Sequence, residues 1–118
     1  MTELLSFGEL LVDLEPDDLE LTDGSRATLY LGGSATNMAV TYRLLGGDSV
    51  LVSAVGDDIL GLMLLDALKS YRMSTDHIMV KRFPTTLILT HWNIGERFIV
   101  YWGAHTLIEP EEFPKELL

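Results

Sequence analysis

One carboxylate, one amide and a pair of glycines in the first third of the chain have the chemistry of a hydrogen-bonding site. Asp13 ends an apolar segment that is typical of a buried strand, and ligands of open α/β sheets bind outside the carboxyl ends of strands. Gly32 and Gly33 precede a predicted helix, which offers its first amides and its positive dipole end. Asn37, one turn further, can both donate and accept hydrogen bonds. The pattern indicates a site that binds a ligand through hydrogen bonds.

Each of these residues also has a purely structural explanation. An Asp at the end of a strand can cap the following turn. A glycine pair is common in a tight turn between a strand and a helix, because glycine adopts backbone angles that a side chain forbids. Ser34 or Thr36 would then cap the helix. On these residues alone, both explanations stay open.

The glycine pair opens a predicted helix–strand–helix succession. The helix ends at Gly46-Gly47, and Ser49–Val55 is a nearly continuous apolar run, typical of a buried parallel strand. Asp57 or Asp58 caps a second helix, about Asp58–Tyr71, which is so apolar that we expect it to be buried on more than one side. The apolar face of the first helix is predicted to consist of Ala35, Met38, Ala39, Tyr42 and Leu45.

The remaining segments predict strands and hairpins. Leu4–Leu14 is mostly apolar and predicts a first strand, in which Gly8 marks a bulge or a close backbone approach. Asp23-Gly24 lies between Leu19–Thr22 and Arg26–Leu31, which is a strong hairpin signal. Further strands are predicted at 77–80, 86–92 and 97–102, the last two as a second hairpin.

Composition argues against several classes of protein. The 118 residues are 47% apolar, which is typical of a folded domain, and their net charge of −10 argues against a nucleic-acid partner. We find no apolar run that would span a membrane and no signal-peptide pattern. Cys is absent, which favours a cytoplasmic protein, and the three His lack the spacing of metal ligands. We therefore expect no nucleic acid, membrane or metal as a partner.

The order of these signals resembles the first signature of the ribokinase-like (PfkB-type) carbohydrate kinases. In that family a glycine pair is followed by small residues, an asparagine and a helix that ends in Leu-Gly. The next strand ends in Val-Gly-Asp-Asp, and another glycine follows. Here Gly32–Ala39, Leu45-Gly46, Val55–Asp58 and Gly61 carry the same pattern. The resemblance covers nearly the whole chain, and it is to the N-terminal portion of the family's members only.

The resemblance implies an α/β fold of ribokinase-like type. We expect the N-terminal part of a three-layer α/β/α Rossmann-like domain, together with a small β-sheet lid. Residues 1–118 would form a single truncated sugar-kinase region. Its α/β part would comprise 1–14 and 32–80, and its lid hairpins about 18–31 and 85–102.

The resemblance also implies a sugar site. In the family, an acid a few residues past a strand glycine hydrogen-bonds sugar hydroxyls, and Gly8 and Asp13 match that placement. Members often carry Arg beside a tyrosine-like position of the lid, whereas here Trp102 follows Tyr101, which argues against a sugar acid or sugar phosphate. The expected substrate-binding residues are Asp13, Gly32, Gly33, Asn37 and Tyr101.

The catalytic motif of the family is absent from this sequence. Full-length members use ATP and Mg²⁺, and their C-terminal part carries Gly-Ala-Gly-Asp, whose Asp acts as base and whose amides stabilise the moving phosphoryl group. Neither that motif nor a Walker-type Gly-x-x-x-x-Gly-Lys occurs here. We therefore expect a carbohydrate-kinase chain that contributes sugar-binding residues, has no catalytic residue or cofactor site of its own, and does not transfer phosphate alone.

Two other functions stay open. A non-catalytic binding module derived from a sugar kinase would form homo-oligomers through its lid strands or its truncated sheet edge, because exposed strand edges pair readily. The apolar helix near Ile59–Leu68 supports that alternative. A dinucleotide-binding unit is disfavoured, because its Gly-x-Gly-x-x-Gly must directly follow the first strand and here a predicted hairpin intervenes.

Overall fold

The computed structural model describes residues 2–93, 96–102 and 108–118, with the side chains of residues 92–102 outside the description. These ranges hold two α-helices, seven strands and two short 3₁₀ turns. In chain order they are β1 Leu4–Phe7, β2 Leu11–Pro16, β3 Ala27–Gly32, α1 Ser34–Leu44, β4 Ser49–Gly56, α2 Ile59–Ser70, β5 Ile78–Lys81, β6 Leu87–Asn93, β7 Glu96–Trp102, and the turns Pro110–Glu112 and Lys115–Leu117.

The strands form two sheets. The first is parallel, with the order β1-β4-β5, as expected for strands connected through helices. The second has the order β3-β2-β6-β7, in which β2 and β6 run parallel and the outer pairs run antiparallel. One parallel sheet and one mixed sheet, together with two helices, confirm the predicted α/β class.

The first predicted strand is in fact two strands, so the prediction of one strand over Leu4–Leu14 is wrong. The chain turns at Gly8, whose φ is +156°, and passes from the parallel sheet into the four-stranded sheet. Buried hydroxyls bind the backbone at this break: Ser53 donates to the Gly8 carbonyl, and Thr36 donates to the Glu9 carbonyl at 2.7 Å. Apolar composition could not reveal the break, because both halves are rich in apolar residues.

The predicted hairpin around Asp23-Gly24 has the wrong first strand. Leu19–Thr22 forms no strand, and β3 pairs instead with β2, so that Leu11–Leu14 belongs to the four-stranded sheet. Asp23-Gly24 does form a turn, closed by a hydrogen bond from the Ser25 amide to the Thr22 carbonyl at 3.1 Å, but inside an exposed loop. A turn signal specifies a local reversal of the chain and does not determine which strands pair.

Helix α1 packs on the parallel sheet through small residues. The predicted apolar face is wrong for Met38 and Leu45, which are 60% and 83% exposed. The predicted cap is also wrong, because Gly33 is the N-cap residue and no side chain caps the helix. Small residues on the buried face allow a close approach to the sheet, and a hydroxyl of β1, from Ser6, donates to the helix carbonyl of Ala35 at 2.7 Å. The buried residues of α1 are Thr36, Ala39 and Val40.

Helix α2 begins as predicted, with Asp58 as its N-cap. It buries Leu64 and Leu68 in the core, whereas Ile59 and Leu62 are 81% and 59% exposed. The described residues therefore cover one face of α2 and not several, contrary to expectation. Among the described residues, neither helix has the length and apolarity needed to cross a bilayer. The core comprises Leu10, Val12, Ala39, Val40, Leu51, Val55, Leu64, Leu68, Met73 and Ile78.

The C-terminal residues 108–118 bridge the two outer strands of the parallel sheet. Lys81 on β5 forms an ion pair with Glu112, with 2.6 Å between Nζ and Oε1. Phe7 at the end of β1 makes an edge-to-face contact with Phe113, with 5.4 Å between the ring centroids. Glu109 starts a 3₁₀ turn with a capping box. Within the described chain, β1 is an edge strand whose last residue, Phe7, stays 54% exposed.

Candidate functional site

Asp13 lies in the middle of a row of paired residues that crosses the four-stranded sheet. It pairs with Tyr30 on β3 and with Ile88 on β6, and Ile88 in turn pairs with Tyr101 on β7. Directly paired residues carry their side chains on the same face of a sheet, so Tyr30, Asp13 and Ile88 share one face. The side chain of Tyr101 is outside the described part of the structure, and only its backbone is placed in this row.

The Asp13 carboxyl group packs directly over the backbone of Gly32. A methyl group added at Gly32 would overlap Asp13 Oδ2 and would lie 2.8 Å from both Asp13 Cγ and Leu11 Cδ1. Any side chain at this position would therefore displace the half-buried carboxylate. The absence of a side chain at Gly32 and the position of Asp13 depend on each other.

Gly33 joins β3 to α1 in a conformation that other residues avoid. Its φ is +106°, and an added methyl group would overlap the carbonyl oxygen of Glu9. This tight turn places the first amides of α1 directly after the glycine pair, with no acidic side chain in the first helical turn to compete for them. Asn37 donates its backbone amide to the Gly33 carbonyl at 2.8 Å, and its side chain is exposed.

The predicted site residues lie in two neighbouring groups, apart from Tyr101, whose side chain is outside the description. The structure brings Asp13 and Gly32 into contact, and Gly33 and Asn37 form the first turn of α1 that follows. A crevice of about 330 Å³ opens at the same helical turn, beside the carboxyl end of β1. It is lined by Leu5, Ser6, Phe7, Ser34, Ala35 and Met38.

Asp58, from the Val-Gly-Asp-Asp motif, has a structural role. One carboxylate oxygen accepts hydrogen bonds from the Gly61 amide at 2.8 Å and the Thr85 hydroxyl at 2.6 Å, and the other accepts from the Thr85 amide at 2.9 Å. The Gly56 amide completes the cluster by donating to the Thr85 hydroxyl at 3.0 Å. Burial alone would raise the pKa of Asp58, but the hydrogen bonds from Thr85 and Gly61 outweigh it, and the pKa is lowered. This cluster fixes the segment that leads into β6.

Comparison with known proteins shows which family has this arrangement. The family model for pfkB family carbohydrate kinases matches residues 1–115. The chain belongs to that family. The resemblance seen in the glycine pair, the asparagine and the Val-Gly-Asp-Asp motif is thereby confirmed.

Individual relatives are kinases of fructose and of fructose phosphate by name. The probable fructokinase-6, chloroplastic, of Arabidopsis thaliana is 31% identical over 122 aligned positions, which cover 98% of this chain and 32% of that protein. The ATP-dependent 6-phosphofructokinase of Thermoanaerobacterium thermosaccharolyticum is 33% identical over 91 positions, covering 74% of this chain and 27% of that protein. The chain therefore spans about a third of the length of these relatives.

Solved structures show the same fold. Fructokinase from Xylella fastidiosa superposes with a TM-score of 0.86 at 27% identity, covering 99% of this chain and 38% of that one. A second structure of the same enzyme contains bound ATP. Fructokinase from Halothermothrix orenii gives a TM-score of 0.75 at 31% identity, covering 87% of this chain and 38% of that one. These likenesses confirm the ribokinase-like fold.

Sequence reasoning missed two residues of this region. Thr85 was not singled out, because its partner Asp58 is 27 residues away and nothing local indicates the contact. Tyr30 was not singled out because the hairpin was given the wrong first strand. With β2 as the partner, the alternation of β3 would have placed Tyr30 opposite Asp13.

Proposed function

We propose that this chain is the sugar-binding and lid portion of a carbohydrate kinase, an enzyme that transfers phosphate from ATP to a hydroxyl of a neutral sugar. The main support is the contact between Asp13 and Gly32 on the face of the four-stranded sheet that also carries Tyr30, within a chain of the pfkB family. The four-stranded sheet is the lid of this proposal, with hairpins β2–β3 and β6–β7. The parallel sheet and its two helices are the α/β part.

In the proposed site, each residue has a distinct role toward the sugar. Asp13 accepts hydrogen bonds from sugar hydroxyls, because an ionised carboxylate is an acceptor only. Gly32 and Gly33 allow the ligand to approach the backbone, and the first amides of α1 donate to ligand oxygens. Asn37 adds one donor and one acceptor at the solvent side, and Tyr101 is an additional contact from β7.

A neutral sugar fits the chain better than an anionic one. The described side chains of the row, Tyr30, Asp13 and Ile88, include no cation, and Asp13 itself would repel a phosphate or carboxylate on the ligand. Trp102 stands where family members often carry Arg beside Tyr101. Several relatives are fructokinases by name, and D-fructose is therefore the sugar with which we would begin.

ATP, Mg²⁺ and the catalytic base belong to the part of a kinase that these 118 residues do not supply. Among the described residues, no three His, Asp or Glu side chains lie close enough together to hold a metal ion by themselves. The solved fructokinases that this chain matches are more than twice as long, and one contains ATP. This chain alone is therefore proposed to bind sugar without transferring phosphate.

Two measurements on the purified chain test this proposal. Calorimetric titration with D-fructose should give saturable binding, and Asp13→Asn should weaken it about tenfold or more, since a hydrogen bond to a charged group contributes about 1.5–3 kcal/mol. Asp23→Asn, in the exposed loop, is the matched control and should bind like the unmodified chain. A coupled assay with ATP and Mg²⁺ should show no turnover. Saturable turnover would refute the claim that this chain alone does not transfer phosphate.

A non-catalytic homo-oligomer is the second candidate function. Its support is the edge position of β1 together with the exposed apolar residues Phe7, Ile59 and Leu62. Light scattering distinguishes the candidates, because a stable monomer of 13.2 kDa at high concentration would exclude self-association. A cytoplasmic location belongs to both candidates, in keeping with the absence of Cys.

A further inference from the structure

Tyr30 is a half-exposed aromatic residue directly opposite Asp13. It lies on edge strand β3 and retains 50% of its accessible surface. The register Asp13↔Tyr30 places both side chains on the same face of the four-stranded sheet. We propose that the Tyr30 ring forms one wall of the sugar site and determines its preference for an unphosphorylated sugar, an inference that rests on the proposed sugar-binding function.

Tyr30 shares its face of the sheet with the contact between Asp13 and Gly32. Residues two apart on a strand share a face, so Gly32 lies on the same face as Tyr30. Gly32 contributes no side chain, and the Asp13 carboxyl and the Leu11 side chain pack over it. The exposed Tyr30 ring therefore lies on the same face as the Asp13 carboxylate, and the first turn of α1 follows directly after Gly33.

This combination of groups suits a sugar and few other ligands. A sugar has apolar C–H surfaces and polar hydroxyl edges, and a tyrosine ring offers an apolar face with a polar tip. Asp13, only one strand away, accepts from the hydroxyls at the edge of the same sugar. A phosphate in this position would meet the Asp13 carboxylate and the uncharged ring, with no cation among the row's described side chains.

A purely structural role for Tyr30 accounts poorly for its position. A ring needed for packing would be buried, as Val12 is on the opposite face of the neighbouring strand, with no exposed surface. The hydrophobic core does not include Tyr30 either. Its replacement is therefore expected to affect ligand affinity more than stability.

The test is a calorimetric titration of D-fructose and D-fructose 6-phosphate into the full chain and its variants. Tyr30→Ala should weaken fructose binding about three- to tenfold, whereas Tyr30→Phe, which keeps the ring, should stay within about twofold. Tyr71→Ala is the control, because Tyr71 is an exposed tyrosine at the end of α2. Thermal melting followed by circular dichroism should show that all three variants stay folded. Fructose 6-phosphate should bind the unmodified chain at least tenfold more weakly than fructose.

The outcomes separate this inference from the function on which it rests. If Asp13→Asn loses fructose affinity and Tyr30→Ala does not, the role of Tyr30 is refuted and the sugar site stands. If fructose 6-phosphate binds as well as fructose, the claimed preference is refuted. If the unmodified chain binds no fructose at any accessible concentration, the proposed sugar binding fails and the inference fails with it.

Discussion

Replacing Gly33 by alanine should destabilise the fold far more than the same change at another glycine with positive φ. Alanine at φ +106° carries a conformational cost of about 1–2 kcal/mol, offset by about 0.4–1 kcal/mol because the unfolded chain loses freedom. The added methyl group also overlaps the Glu9 carbonyl oxygen. That carbonyl is held by the Thr36 hydroxyl at 2.7 Å, so it cannot move away without losing a hydrogen bond.

The magnitude follows from these contributions. Overlap with a fixed backbone group costs about 1–3 kcal/mol, and a disrupted hydrogen bond about 0.5–1.5 kcal/mol more. With the conformational term, Gly33→Ala should lower the free energy of unfolding by about 1.5–6 kcal/mol, with a midpoint of about 4 kcal/mol. Gly46 has a similar φ of +98° but no atom within 4 Å of an added methyl group. Gly46→Ala should therefore lose only about 1 kcal/mol.

Urea denaturation followed by far-ultraviolet circular dichroism measures both variants against the unmodified chain. A small domain has a total stability of about 5–15 kcal/mol, so complete loss of the cooperative transition in Gly33→Ala also agrees with the expected direction. Equal destabilisation by the two substitutions, within about 0.5 kcal/mol, would show that the backbone near Glu9 yields freely. The argument for a rigid turn at the glycine pair would then be wrong.

Three further predictions concern the carboxylates and their neighbours. The pKa of Asp58 is lowered in the fold, so its stabilisation is present at pH 7 and is lost as the pH falls through 3.8 and below. Unfolding titrations should therefore show the stability gap between the unmodified chain and Asp58→Asn closing in that range, and a constant gap would contradict the assignment. Thr85→Val should cost about 1–3 kcal/mol in urea, because it leaves the buried Gly56 amide without its acceptor; Thr28→Val, which removes an exposed hydroxyl bonded to Asp17, should cost under about 0.5 kcal/mol, and equal losses would be unexpected. Gly32→Ala should reduce fructose affinity about as much as Asp13→Asn, since its methyl group displaces the same carboxylate; calorimetry showing intact affinity would argue against the contact.

The local signals in the sequence were largely sufficient for the parallel half of the fold. The Asp58 cap of α2 and the end of α1 before Gly46 depend on hydrogen bonds and backbone angles between residues close in sequence. The residue types at these positions are therefore enough to predict them. The prediction of β4 from its apolar run was also correct, because both faces of a central parallel strand are buried.

What could not be predicted depends on contacts between distant residues. The break at Gly8 is fixed by hydroxyls from Ser53 and Thr36, 45 and 27 residues from the carbonyls that accept them. The pairing of β3 with β2 likewise depends on contacts across the whole sheet and not on the local Asp23-Gly24 turn. Tyr30 lies opposite Asp13 only because β3 pairs with β2, so the sequence pointed to Asp13 as a candidate but not to Tyr30.

The points at which the chain passes between the two sheets limit how the four-stranded sheet can move. The segment leading to β2 is bound at Glu9 by Thr36, and the segment leading to β6 is bound at Thr85 by Asp58. The Val12 amide, donating to the Thr86 carbonyl at 2.9 Å, ties the two segments together. The four-stranded sheet is therefore anchored at one end and exposed at the other, around residues 17–30. Under the proposed function, this sheet would move toward the sugar by bending along its strands and not by rotating about a free hinge at Gly8. Amide exchange should then be slow at the anchored end and fast at the exposed end.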